Sequence, residues 1–167
     1  MNDSTSTAIF VLPHYDVHGH ITATNSRALD AMNDHSTRFL KLESVRVCAA
    51  GCADPLFELP HTMVLKSMVQ AVLLLNEDRS NESKVYFASL ARKTHEATIL
   101  LPTMIVKGRI HTKTGGDMPT FLSLETGMFF PVTGAQVQYG DRFEATLDCQ
   151  VVLVHKDQIA TITATST

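Results

Sequence analysis

At 167 residues, the chain has the length of one ordinary domain or of two very small ones that share a core, and a hydrophobic content of 44% is enough to fold it. Apolar stretches such as residues 71–75 are far shorter than the roughly 20 residues that cross a bilayer, so we expect no membrane segment. A formal net charge of -3 gives the whole molecule no electrostatic attraction to nucleic acid or anionic membranes.

The first residues of the chain carry no secretory signature. Residues 1–6 are polar and acidic, and they lack the basic start and the apolar centre of a signal peptide. Three cysteines are an odd number, which is not how a secreted disulfide framework is built. We therefore predict a cytoplasmic protein with reduced thiols, in which residues 1–6 form a disordered tail.

Two parts of the chain repeat the same short features in the same order. Residues 9–13 and 98–102 are apolar runs that each end in proline, and both are typical of buried strands. The next segments, 17–21 and 106–110, share Val, Gly and Ile at matching positions. This agreement predicts an internal duplication.

A short helix is predicted next in each copy, at residues 27–33 and 117–123. In the second copy, apolar residues recur at helical spacing, and Asp117 is placed to cap the first turn. The first copy repeats that spacing with smaller apolar residues.

The strand that follows has the same irregularity in both copies, at 39–47 and 129–137. In each, two apolar residues on one face are followed by two on the other face. A β-bulge near 43–44 and 133–134 would restore a single apolar face, and the glycine at position 134 is typical of such a site.

The closing segments of the copies, 63–72 and 151–160, match least well. Each copy would then contain strand, strand, short helix, strand and strand, and units this small bury their apolar faces against each other. The sequence thus predicts a mainly β fold (β-rich α+β), in which two homologous small units, each with one short helix, pack as a pseudo-twofold pair. The predicted segments are the tail at 1–6, a first repeat at 7–75, a connector at 76–95 and a second repeat at 96–163.

Three motifs resemble those of an uncharacterised bacterial family of small strand-rich domains of unknown function. They are the helix at 28–33, the strand at 129–137 and the closing strand at 154–159. The second copy departs from the family pattern in its helix, where Thr120 and Ser123 stand at the acidic and amide positions. The resemblance covers most of both copies and implies a tandem duplication of that domain, but no activity.

A histidine-rich stripe is the first candidate site. Alternation along a strand places four side chains on one face, namely His14, Asp16, His18 and His20. Imidazole and carboxylate groups bind zinc and similar metals, so a metal-dependent enzyme is one alternative. Successive side chains on one face lie about 6.5–7 Å apart, however, and four of them do not easily meet at one ion. A solvent-facing polar stripe explains the same pattern, and we expect no cofactor.

A symmetric basic patch is the second candidate site. It would combine His18 and His20 with their equivalents Lys107 and Arg109, and with His111. Such a patch would contact the phosphates of nucleic acid or of a nucleotide. Small barrels that bind nucleic acid usually add exposed aromatic residues, but this chain has no tryptophan and its three tyrosines do not cluster. Nucleic-acid binding is therefore a disfavoured alternative.

The cysteines give no strong signal. Cys48 and Cys52 differ in spacing from a Cys-x-x-Cys pair, and a disulfide or a metal half-site with His61 is the alternative to the interpretation that we favour, two small residues at the end of a strand. Cys149 is expected in the core.

The predicted function follows from the repeat rather than from a motif. A duplicated unit that keeps its apolar skeleton while its polar faces differ is typical of a scaffold or adaptor. Short strand-rich units also leave strand edges that must be paired or protected. We therefore predict a non-catalytic binding or assembly protein, with a protein partner or self-association and no membrane contact.

Overall fold

A computed structural model of the chain describes residues 6–21, 27–75, 92–113, 116–139 and 146–166, which form a mainly β fold. The first half contains β1 (Ser6–Val11), β2 (Tyr15–Ile21), α1 (Ala28–Asn33), β3 (Phe39–Ala49), β4 (Pro55–Leu65) and β5 (Ala71–Leu74). The second half contains β6 (Arg92–Leu101), β7 (Met104–Lys113), α2 (Met118–Thr120), β8 (Phe129–Tyr139), β9 (Thr146–His155) and β10 (Thr161–Ser166). The mainly β prediction is confirmed.

The strands of the described residues form one antiparallel sheet in the order β10-β6-β7-β8-β9-β5-β1-β2-β3-β4. Within each half the spatial order is fifth, first, second, third and fourth strand. A 3-10 turn links the fourth strand to the fifth, at Lys66–Met68 in the first half and at Lys156–Gln158 in the second. The same topology therefore occurs twice, whereas the common descent of the halves stays a prediction.

The closing part of each half differs from the sequence-based expectation. Each half has five strands instead of four, because the closing segment holds a strand end, a 3-10 turn and a further strand. Lys66 corresponds to Lys156 in these turns. The alignment of residues 63–72 with 151–160 is therefore wrong by two positions.

Two strands begin inside the segments predicted as the tail and the connector. Ser6 begins β1, and residues 1–5 lie outside the described residues. Arg92 begins β6, so that residues 92–95 belong to a strand, while 76–91 lie outside the described residues.

The two halves meet head to tail. β9 is the fourth strand of the second half, and it pairs with β5, the fifth strand of the first half. A twofold pair would bring the same strand of each half together, so the expected pseudo-twofold packing is replaced by a junction of two different strands. The opposed residues of this inner junction are Ala71 and Val154, Val72 and Leu153, Leu73 and Val152, and Leu74 and Val151.

Alternate side chains of the inner junction face two cores. On β5, Leu73 packs in a core built mainly from the second half, and Val72 packs in one built mainly from the first half. On β9, Val152 and Leu153 alternate in the same way. Each half therefore completes the core of its neighbour, and each buried Val or Leu contributes about 1.5–3 kcal/mol relative to exposure.

The predicted bulges are confirmed in both halves. Ser44 and Gly134 have positive φ angles of 51° and 54°. The register shifts at the same places, between β2 and β3 and between β7 and β8. The bulge turns Val45 into the core that Leu42 already faces, as the break in alternation indicated.

The short helices lie at the predicted positions, although the second is the three residues of α2 followed by a π-helix at Phe121–Glu125. The first helix ties the halves together. Asn33 at the end of α1 bonds both backbone groups of Phe129: its Nδ2 donates to the carbonyl at 2.9 Å, and its Oδ1 accepts from the N–H at 2.8 Å. Asp117 caps α2 as expected, since its Oδ1 accepts from the Thr120 N–H at 2.8 Å. Within the described ranges, no helix is long and apolar enough to cross a membrane.

Candidate functional site

The structure divides the histidine-rich stripe. His14 is exposed in the turn before β2, whereas His18 and His20 lie on β2 and are half-buried. Burial lowers the pKa of His18, and the nearby charge of Arg46 lowers it further. The Nδ1 atom of His20 lies 3.1 Å from the hydroxyl of Thr7 on the neighbouring strand. These two imidazoles are therefore partly enclosed and do not form a free polar face.

Asp16 is buried, which corrects the expectation that it faces solvent. The turn after β3 folds over it, and the Gly51 N–H donates to Asp16 Oδ2 at 2.8 Å. Burial raises the pKa of Asp16. The hydroxyl of Tyr139 lies beside this carboxyl, and burial together with that contact raises the pKa of Tyr139. Asp16 thus connects β2 to the turn after β3.

The histidine-rich stripe does not form a metal centre in the part of the chain that the structure describes. There, no group of three or more His, Cys, Asp or Glu side chains is placed to hold a metal ion. The four candidate ligands have different surroundings: His14 lies in a turn, Asp16 is buried, and His18 and His20 are half-buried on β2.

The expected basic patch is split between two strands. Lys107, Arg109 and His111 lie on β7, while His18 and His20 lie on β2, with β8, β9, β5 and β1 between them in the sheet. Arg109 is exposed but stands opposite Glu96 on β6. His111 is half-buried with its Nε2 3.0 Å from the Thr133 hydroxyl, and burial lowers its pKa. The residues on β7 and on β2 do not form one continuous basic surface, and nucleic-acid binding stays a prediction.

All three cysteines are free thiols. Cys48 and Cys149 are buried, and Cys52 is exposed. Burial raises the pKa of Cys48, and it raises that of Cys149 to about 11. The prediction of Cys149 in the core is confirmed, and Cys48 is a small buried residue near the end of β3.

An open groove lies over the bulge in each half, at matching positions. The groove of the first half is about 590 Å³, and its lining includes His18, Gly19, Ser44, Arg46 and Glu58. The groove of the second half is about 460 Å³, and its lining includes Lys107, Gly108, Gly134, Gln136 and Asp148. Each groove carries both signs of charge, so neither offers the field of one sign that attracts a phosphate chain.

Strand β4 forms an exposed apolar edge of the sheet. It is the last strand in the order, and among the described residues it pairs with β3 alone. Its exposed apolar side chains, together with one from the start of β3, are Leu56, Phe57, Leu59, Met63 and Phe39. An end strand also presents backbone N–H and C=O groups that another strand can pair with.

The apolar residues of segment 55–62 do not alternate strictly, so their pattern does not predict this strand. One signal in the sequence does indicate an edge, namely Pro55 and Pro60, because proline within a strand is typical of an edge position.

Two of these exposed side chains, Met63 and Phe39, have counterparts in the second half that are buried. Met63 is 57% exposed, whereas Leu153 at the same place on β9 is 0% exposed. Phe39 is 47% exposed, and its counterpart Phe129 is 1% exposed. At these two positions the edge of β4 exposes apolar side chains that the second half buries, and β4 has no described neighbour on its outer side.

No family model, curated protein or solved structure gave a significant match to the chain. Function is therefore inferred from the geometry of the described residues, and the resemblance to small strand-rich bacterial domains stays a prediction.

Proposed function

We propose that this chain is a non-catalytic assembly protein that binds a protein partner along the exposed edge of its sheet. The supporting observation is β4, whose outer side has no described neighbour and whose apolar side chains are exposed. A partner strand would add to this edge by β-augmentation, in which main-chain hydrogen bonds give affinity and side-chain contacts give specificity.

The apolar residues of β4 supply part of the energy for a reversible complex. Four side chains carry this term, namely Leu56, Phe57, Leu59 and Met63. They are 38–57% exposed, so covering the part that remains contributes about 3–6 kcal/mol. Association costs about 4–15 kcal/mol in lost translational and rotational freedom, so backbone pairing decides whether the complex forms. A weak and specific contact is expected from these terms.

The surroundings of the shifted titratable groups support a non-catalytic function. Asp16 is held by the Gly51 N–H inside the fold, and His111 bonds to Thr133 on the adjacent strand. The two grooves lie over bulges that the fold itself requires. These groups have roles in packing, while the exposed apolar edge has none within the described chain.

Affinity purification of the full-length tagged chain from its own cells, followed by light scattering, tests this proposal. Met63→Glu places a charge on the edge, and Leu147→Glu is the matched control, because Leu147 is also an exposed apolar residue on a strand but lies outside the inner junction. We expect wild type and Leu147→Glu to retain a partner at fixed stoichiometry that Met63→Glu loses. A wild-type chain that is monomeric and retains nothing contradicts the proposal.

A further inference from the structure

The two ends of the sheet have the same identities as the strands that join its halves. One end is β4, the fourth strand of the first half, and the other end is β10, the fifth strand of the second half. Inside the molecule a fourth strand, β9, already pairs with a fifth strand, β5. The end strands of two molecules, which have no outer neighbour among the described residues, can therefore meet in the way that the two halves of one molecule meet.

We propose that the partner of β4 is strand β10 of a second copy of this chain, paired in the register of the inner junction. This inference rests on the proposed function and adds the identity of the partner. Transferring the inner register gives four opposed pairs between copies: Val64 with Thr161, Met63 with Ile162, Thr62 with Thr163, and His61 with Ala164.

The pattern of burial on β4 agrees with this register. At the inner junction, β9 turns Val154 to its own core and Leu153 to the core of the neighbouring half. On β4 the counterpart of Val154 is Val64, which is buried, and the counterpart of Leu153 is Met63, which is exposed. The side chain that would face the second copy is thus the one that the single chain leaves uncovered.

The burial pattern on β10 agrees as well. On β5, Val72 faces its own core and Leu73 faces the neighbouring half. On β10, the counterpart Ile162 packs on its own core, while the counterpart Thr163 is exposed. Both ends of the sheet therefore keep the two-sided alternation of the inner junction.

Contacts beside the strands have counterparts at the ends of the sheet. At the inner junction the His155 N–H donates to the Gln70 carbonyl at 3.0 Å. The same bond between copies would join the Leu65 N–H to the Ala160 carbonyl. Pro60 lies just before the proposed four-residue ladder, where its missing N–H removes no bond.

The outer contact would be weaker than the inner one. The side chains of β5 that face the neighbouring half are Ala71 and Leu73, whereas threonine occupies both corresponding positions of β10, at 161 and 163. Less apolar area is buried by threonine, so a reversible assembly is expected. Because two different edges meet, the contact is heterologous and propagates into a ring or an open filament.

Two complementary variants of the full chain test the proposal by sedimentation velocity. Met63→Glu charges the β4 edge, and Thr163→Glu charges the β10 edge; circular dichroism checks that both fold. We expect each variant alone to associate at least tenfold more weakly than wild type. An equimolar mixture should form a 1:1 pair, because each variant retains the edge that the other has lost. That pair should not grow, because both of its remaining edges are charged.

Cysteine cross-linking tests the register in a Cys52→Ser background, which removes the exposed native thiol. Chains with Thr62→Cys and with Thr163→Cys should form a two-chain disulfide on mild oxidation, since directly opposed strand residues have the spacing of a disulfide. Thr165→Cys in place of Thr163→Cys is the control. It lies two residues further along the same face, and its yield should be at least tenfold lower.

Failure of this inference can be told from failure of the proposed function. If the mixture stays monomeric, or if Thr163→Glu associates like wild type while Met63→Glu does not, β10 is not the partner, and the proposed function survives through another occupant of β4. If wild type is monomeric and retains no partner that Met63→Glu loses, both proposals are wrong.

Discussion

The inner junction and the outer edges use the same elements of the fold with different side chains. Inside the molecule, the residues of β9 and β5 that pair are Val, Leu and Ala, and all of them are buried. At the outer edges, the corresponding residues of β4 and β10 include Met63, Ile162 and three threonines. The backbone pairing is available in both places, so the side chains decide which contact is permanent. One topology thus provides a permanent joint and an exposed edge.

Truncation of one side chain at the inner junction and of its counterpart at the outer edge should give the largest difference in the free energy of unfolding. Leu153→Ala removes a fully buried side chain from the inner junction and should lower the free energy of unfolding by about 2–5 kcal/mol. Met63→Ala, at the corresponding edge position, should lower it by less than about 0.5 kcal/mol in dilute protein. Urea denaturation measures both values. Equal effects would mean that the monomer already covers Met63.

The Asn33 contact gives the next largest expected effect. Asn33→Ala removes both hydrogen bonds to the Phe129 backbone, at 2.9 and 2.8 Å, and should cost about 1–3 kcal/mol. Ser123, after α2, is the corresponding residue of the second half and is exposed, so Ser123→Ala should change stability by less than about 0.5 kcal/mol. Urea denaturation of the two variants measures the difference. A loss in Ser123→Ala as large as that in Asn33→Ala would contradict the assignment of Asn33 as a tie between halves.

A smaller, pH-dependent difference is expected at His155. This residue is buried against Phe129, with ring centroids 4.7 Å apart, and its Nδ1 accepts from the Asp157 N–H at 3.1 Å. Burial lowers the pKa of His155 below its ordinary value of 6.5. Below pH 6.5 the unfolded chain therefore binds more protons at this residue than the folded chain does. The resulting stability is present above pH 6.5 and is lost as the pH falls through the folded pKa.

His155→Leu tests this origin, because leucine already occupies the corresponding position 65. The variant should lose less stability than wild type between pH 7 and pH 5 in urea denaturation. Burial lowers the pKa of His18 and of His111 as well, so part of the acid sensitivity should remain. An unchanged slope of stability against pH would show that His155 is not a source of it.

The sequence predicted features that depend on local pattern and missed those that depend on distant pairing. The bulges follow from a break in alternation within one strand, and Asp117 caps the helix that directly follows it. The inner junction was missed because nothing local to residues 71–74 specifies β9 as their neighbour. The burial of Asp16 was missed because it depends on Gly51, which a hairpin turn brings back from 35 positions further along the chain.

The two bulges, predicted from one pattern, differ in a way that gives the smallest expected effect. Both central residues have positive φ, which costs a residue with a side chain about 1–2 kcal/mol. Ser44→Gly should therefore raise the free energy of unfolding by about 0.5–1 kcal/mol, after the higher chain entropy of glycine is counted. Gly134→Ser should lower the free energy of unfolding by a similar amount, because serine is strained at this positive φ. The new Cβ would lie 3.0 Å from the flexible end of Arg109, which can move aside, so this contact should add little. Opposite signs in urea denaturation would show that the two bulges have the same backbone conformation, which is strained with Ser44 and relaxed with Gly134. Equal signs would contradict the equivalence of the two bulges.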